Sequence, residues 1–203
     1  MKILFDIGAN RGKFSLANKD SFDLFILVEP NNEYNKQIEN YGLSNFYIEN
    51  MIVSNEKNID FYLCDTISTC DRDWIENSRF SKKYSWIKSN PIPTITIDQL
   101  VDKYGFPNFI KIDVEGYELN VVKSMTKKYN DLCFEWAEEK QNEILQTLEY
   151  LNNLGYKLFH LHQQDQYDYF PREEYYESYE SIFKKIKKLS PSRKQKWGMI
   201  FCK

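Results

Sequence analysis

The chain has 203 residues, 42% of them hydrophobic, with 27 basic and 30 acidic side chains and a net charge of −3. That length and apolar share support a single domain, 1–203, with a substantial core, and leave no room for a second. The near balance of charge excludes a general attraction to nucleic acid or anionic membrane, so partners must be recognised at local sites. Cys64, Cys70, Cys133 and Cys202 form no CxxC pair and only two histidines are present, so no metal site is expected and a reduced, cytoplasmic chain is. The apolar start Met1 to Phe5 is too short for a signal peptide, Asp6 cuts it off, and no run approaches membrane-spanning length.

Ile3-Leu4-Phe5 leads into Asp6-Ile7-Gly8-Ala9-Asn10-Arg11-Gly12 and then Lys13 to Ala17, which predicts strand, glycine turn and helix. Glycine at both ends of such a turn lets backbone approach a ligand, and the first N–H groups of the helix stay free for polar groups. A nucleotide-type ligand fits. The dinucleotide fingerprint requires glycine at its first, third and sixth places, which here hold Gly8, Asn10 and Lys13, so a pyrophosphate cofactor is disfavoured. Asp6 suits S-adenosylmethionine instead, whose sulfonium and ammonium are positive and which lacks phosphate. Asp6-Ile7-Gly8-Ala9-Asn10-x-Gly12 resembles the first motif of the FkbM family of S-adenosylmethionine-dependent methyltransferases. Asp6, Gly8, Ala9, Asn10 and Gly12 are accordingly candidate cofactor contacts.

Phe25-Ile26-Leu27-Val28 is a continuous apolar run ending in Glu29-Pro30, as expected of a parallel strand covered on both faces. An acid at that tip can accept hydrogen bonds from both ribose hydroxyls, and Glu29 is the candidate for this role. Its alternative role is a helix N-terminal charge, because Asn31 begins a helix with Tyr34 and Ile38 that Gly42 closes. Phe46-Tyr47-Ile48 forms the third strand, and Asn50 and Met51 at its exit are placed near the adenine by position in the fold. Phe61 to Cys64 reads as an extra strand. Asp65 to Pro93 is long enough to be a lid or an insertion with its own short helices, with Ser68 or Thr69 expected to face the site.

Thr96 with Gln99 three later gives capping-box spacing for a helix that Gly105 ends. In Phe109 to Gly116 the aliphatics Ile110, Ile112 and Val114 alternate with Lys111, Asp113 and Glu115, so the charges share one face of a central strand. Buried charge is costly, so either an internal Lys111–Asp113 pair or an active-site wall is expected. Lys-Ile-Asp-Val-Glu-Gly followed by Tyr117-Glu118 is the second match to the FkbM family, and the resemblance spans roughly residues 3 to 137. Leu132 to Trp136 and Tyr156 to Leu161 read as the fifth and sixth strands, and Trp197 to Cys202 as the last. The resemblance implies an α/β, Rossmann-like class I methyltransferase fold. Its seven-stranded, mostly parallel sheet has helices on both faces and order 3-2-1-4-5-7-6, with the last strand antiparallel.

Cover for the substrate is expected from insertions near 65–93 and 163–190. The second is rich in tyrosine, including Tyr167, Tyr169, Tyr175, Tyr176 and Tyr179, which could stack on a sugar or base or simply pack the segment down. The resemblance implies in-line O-methylation of a sugar or polyketide-like hydroxyl, with positioning and desolvation supplying much of the catalysis. Asp113, also a candidate cofactor contact beside the expected methyl group, is the first candidate for base or substrate orienter, followed by Glu115, Glu135 and His160. Three alternatives stand beside it: ribose methylation of RNA using the basic stretch Lys184 to Lys196, a cofactor-binding module without turnover, and metal-assisted transfer through Asp113 and Glu135.

Overall fold

The computed structural model describes residues 1–164, 166–189 and 196–203. Its strands are β1 (Ile3–Ile7), β2 (Leu24–Val28), β3 (Phe46–Glu49), β4 (Ile52–Val53), β5 (Tyr62–Leu63), β6 (Ile87–Lys88), β7 (Thr94–Ile95), β8 (Phe109–Ile112), β9 (Asp131–Ala137), β10 (Leu158–Gln163), β11 (Glu177–Ser178) and β12 (Trp197–Cys202). The helices are α1 (Lys13–Ala17), α2 (Asn35–Asn40), α3 (Arg72–Asn77), α4 (Ile97–Tyr104), α5 (Glu118–Val122), α6 (Gln141–Leu154) and α7 (Tyr179–Lys187).

The main sheet has the order β3-β2-β1-β8-β9-β12-β10-β11. Apart from β11 this is the expected 3-2-1-4-5-7-6 arrangement, and β12 runs antiparallel to both β9 and β10. The eighth strand corrects the expected count. After β10 the chain turns back before α7 starts, and Glu177–Ser178 pairs with Leu158 and Phe159 along the edge. An open edge presents unpaired backbone groups, and a short returning segment covers them. Ser178 then accepts the Ser181 N–H as the cap of α7.

Residues of β1 alternate between two apolar layers, Phe5 and Ile7 on one face and Leu4 on the other. The first layer packs Leu100 of α4, Val121 of α5, Leu148 of α6 and Ile182 of α7 against the sheet, and the second packs Phe14 of α1 and Ile38 of α2. Helices on both faces explain why the parallel strands are continuous apolar runs.

Thr96 and Gln99 form the reciprocal capping box at the start of α4. The expected alternation through Glu115 is cut short, because β8 ends at Ile112. Beyond it the chain curls around the carboxylate of Glu118, whose Oε1 accepts the N–H groups of Val114 at 3.0 Å and Gly116 at 3.2 Å. Glu115 takes a left-handed φ of 54° in that turn. The insertion between β3 and α4 is structured by two small ribbons, β4 parallel to β7 and β5 antiparallel to β6, and by α3.

Candidate active site

A cavity of about 560 Å³ opens where β1, β2, β8 and β9 reach their carboxyl ends, and the insertion forms part of its wall. This is the edge at which doubly wound sheets bind ligands, and the volume lies within the range of small-molecule sites.

Backbone forms one side. Gly8 and Ala9 donate their N–H groups to the Val28 carbonyl at 2.9 and 3.1 Å, which pulls the glycine turn across the tip of β2. A Cβ at Gly8 would stand 1.8 Å from the carbonyl oxygen of Asp113, so the turn and the end of β8 are in direct backbone contact. Glu29 is buried and lines the cavity, with its two carboxylate oxygens accepting the N–H groups of Asn10 and Asn31, each at 2.8 Å. Burial raises its carboxyl from the ordinary 4.5 to about 7, with those two backbone donors and Lys111 opposing the shift.

Acids form the middle. Asp113, Glu115 and Glu135 all line the cavity, and carboxylate oxygens of the three lie within 4.8 Å of one another. Lys111 stands behind them with Nζ 3.5 Å from Asp113, 3.2 Å from Asp6 and 2.7 Å from the Gly8 carbonyl. Burial alone lowers the Lys111 ammonium, but the Asp113 and Asp6 carboxylates outweigh it and hold the group protonated well above the usual lysine range. The internal Lys111–Asp113 pair anticipated for this strand is present, and Asp113 and Glu115 also line the cavity.

Four of the expected residues are not among those lining the cavity. Asp6 is fully buried beneath the cavity floor: it sits opposite Lys111 in the β1–β8 register and accepts the Ser15 hydroxyl at 2.7 Å, so it braces the wall rather than forming it. Gly12 lies off the cavity, where a Cβ would meet Ile38 at 3.2 Å. The Asn50 amide is turned inward to the Glu29 carbonyl at 2.8 Å and to Asn35. His160 lies on β10 away from the cavity, with Nδ1 3.1 Å from the Tyr175 carbonyl and Nε2 3.0 Å from the Tyr169 hydroxyl, so it holds down the second insertion.

Gly8, Ala9, Asn10, Glu29, Met51 and Ser68 do line the cavity, although the Ser68 hydroxyl is engaged locally, accepting from Cys64 N–H and donating to the Asp65 carbonyl. Thr69 is buried and donates to the Glu115 carbonyl at 2.7 Å, tying the insertion to the acidic turn. Of the tyrosines, Tyr167 reaches the cavity, whereas Tyr169 stacks on His162 with centroids 3.8 Å apart. Positions 190–195 of the basic stretch lie outside the described residues.

Tyr117, Cys70, Arg79, Phe80 and Trp197 were not anticipated as lining residues. Trp197 could have been found from topology, because the first residue of an antiparallel last strand lands at the carboxyl edge of its parallel neighbours. Arg79 and Phe80 lie in an insertion whose sequence has no periodic signal. Among the described residues no helix is long and apolar enough to cross a membrane.

No curated protein sequence matches the chain. Solved structures similar to it include an S-adenosylmethionine-dependent O-methyltransferase of Thermotoga maritima, at 13% identity and TM-score 0.46 over 99% of this chain and 58% of that one. A precorrin 8w decarboxylase of Methanobacterium thermoautotrophicum aligns at 9% identity and TM-score 0.46 over 100% of this chain and 81% of that one. An S-adenosylmethionine-dependent methyltransferase of Archaeoglobus fulgidus aligns at 14% and 0.41, covering 99% of this chain and 85% of that one. The family model for the methyltransferase FkbM domain matches residues 6–158, and the chain belongs to that family.

Proposed function

We propose that the protein transfers the methyl group of S-adenosylmethionine to a hydroxyl of a small molecule or glycan, a sugar or polyketide-like acceptor. The observation that carries this reading is the convergence of Asp113, Glu115 and Glu135 in a cavity that also contains Glu29 and the glycine turn. When bound, the cofactor supplies an electrophilic methyl, and the chain has to hold it and deliver a nucleophile in line.

Glu29 is assigned to the ribose hydroxyls. Its two oxygens already hold the Asn10 and Asn31 N–H groups, and each carboxylate oxygen retains a lone pair for a further donor. The Gly8 to Asn10 backbone is assigned to the amino-acid portion and Met51 to the edge of the adenine. Asp6 acts indirectly, by fixing Lys111 against Asp113 and the Gly8 carbonyl.

An alcohol must lose its proton as it attacks, and Asp113 is assigned to accept it or to orient the hydroxyl, with Glu135 and Glu115 beside it. Lys111 stands behind Asp113 with its ammonium 3.5 Å from the carboxylate, which fixes the orientation of that side chain. The same cluster favours a second reading, in which a divalent cation held by the three carboxylates activates the hydroxyl.

One assay tests both. Transfer of labelled methyl to a panel of sugars and polyols is measured for the protein and for Asp113→Asn, with and without chelator. Asp113→Asn is expected to slow transfer by about 10²-fold while leaving cofactor affinity within about twofold. Normal turnover of the variant would refute the assignment of Asp113, and loss of transfer on chelation would select the metal-assisted form.

A further inference from the structure

We infer that Arg79 forms an anion-recognising subsite at the acceptor end of the cavity, so that the acceptor carries a carboxylate or phosphate group. The inference rests on the methyltransferase reading only in calling that end the acceptor end.

Arg79 follows α3, lines the cavity and leaves 11% of its side chain exposed. Three rings surround its guanidinium carbon, one distant in sequence and two local: Trp197 at 5.4 Å, the adjacent Phe80 at 5.5 Å and Trp74 of α3 at 5.6 Å. This fixes a planar cation in the wall rather than leaving it on a mobile stem. Its one ion-pair partner among the described residues is incomplete. Glu139 Oε1 lies 3.1 Å from Nε, but that oxygen is also 3.3 Å from the Arg79 backbone N–H as its acceptor. Nε and Nη2 are sealed from solvent and donate no hydrogen bond to any described residue. A buried guanidinium with unmet donors is costly, and an anion in the cavity would pair with its charge through the part of the side chain that stays open there.

The other cations lining the cavity are differently placed. Lys111 is held between Asp6, Asp113 and the Gly8 carbonyl, and Arg11 reaches outward to the exposed Asp65. Lys13 is exposed on α1.

Position assigns the end. Glu29 follows the tip of β2, and Trp197 begins β12, four strands further along the sheet. At ~4.8 Å per strand these tips are about 19 Å apart, so Arg79, packed on Trp197, stands far from the proposed ribose contact. Asp113 and Glu135, on and beside β8 and β9, lie between. Their carboxylates repel an anion from the centre while Arg79 attracts it at the end. An acceptor charged at one end is thereby oriented with its neutral hydroxyl toward Asp113.

The probes are inorganic phosphate and acetate, titrated calorimetrically into the protein with and without saturating S-adenosylhomocysteine. Saturable one-site binding of at least one anion is expected, and the tighter of the two identifies the preferred acid. Arg79→Gln should weaken it by about tenfold or more, and Arg79→Lys, which keeps the charge against the rings but loses the fork, by a smaller factor. Unchanged S-adenosylhomocysteine affinity in each variant certifies its fold. Absence of saturable binding of both anions to the unmodified protein, or equal affinity in both variants, would overturn the subsite. Failure of S-adenosylhomocysteine itself to bind would strike the cofactor reading instead, and the anion titration without it would still decide the role of Arg79.

Discussion

A side chain at Gly8 has nowhere to go: its Cβ would fall 1.8 Å from a backbone oxygen of Asp113, and the φ of 72° is unfavourable for an L-residue. Backbone cannot yield as a flexible side chain would. Gly8→Ala should therefore cost on the order of 3 kcal/mol in urea unfolding and separate the glycine turn from β8. A change within about 0.5 kcal/mol, the range of neutral surface substitutions, would show that the contact is not obligatory. Asp6 teaches a related lesson. Its charge and position at a strand end suggested a ligand contact, but residue type alone does not distinguish an acid facing a cation in the ligand from one facing a cation on the next strand. The Asp6–Lys111 register, which depends on sheet order, sets this acid opposite a cation of the next strand.

At the scale of the element, the acidic turn after β8 depends on α5. Glu118 receives two N–H groups of that turn on one oxygen, and burial raises its carboxyl from the ordinary 4.5 to about 7, with those donors opposing and Asp113 adding to the rise. Glu29 is raised to about 7 for the same first reason. In both cases the folded group holds its proton more tightly than the unfolded one. The stabilisation is full below pH 4.5 and is lost as pH rises through about 7, up to roughly 3 kcal/mol for each group. Glu118→Gln keeps an acceptor oxygen for both N–H groups and cannot ionise. Chemical denaturation should find it more stable than the unmodified protein at pH 8 and closer to it at pH 5.5, whereas Glu118→Ala should be destabilised at both. A Gln variant weaker at pH 8 would contradict this account of the turn.

How legible these features were depended on locality. The strand, glycine turn and helix from Ile3 to Ala17, the capping box at Thr96 and the acid after β2 are local patterns, and each is present. The end of β8 at Ile112 was not readable from alternation, since the carboxylate that curls the chain away belongs to the next helix.

At the scale of the whole molecule, the order of the seven principal strands was anticipated through the family resemblance, while β11 arose from how one insertion returns along an edge. The far wall of the cavity was hidden because Arg79, Phe80 and Trp197 meet only after the insertion folds over the sheet and β12 slots beside β9. The second insertion contributes mainly packing: Phe170 lies 5.1 Å from Phe109, Tyr169 stacks on His162, and His160 ties both Tyr169 and Tyr175. Tyrosine-rich composition could not separate that use from ligand stacking.

The central claim is that the cavity beneath the glycine turn takes S-adenosylmethionine. Calorimetric titration of S-adenosylmethionine, S-adenosylhomocysteine and NAD into the metal-free protein tests it most directly. Saturable one-site binding of the first two, weakened about tenfold or more in Glu29→Ala, with none for NAD, is the predicted result. Binding of NAD in place of the sulfonium cofactor, or of none of the three, would contradict it.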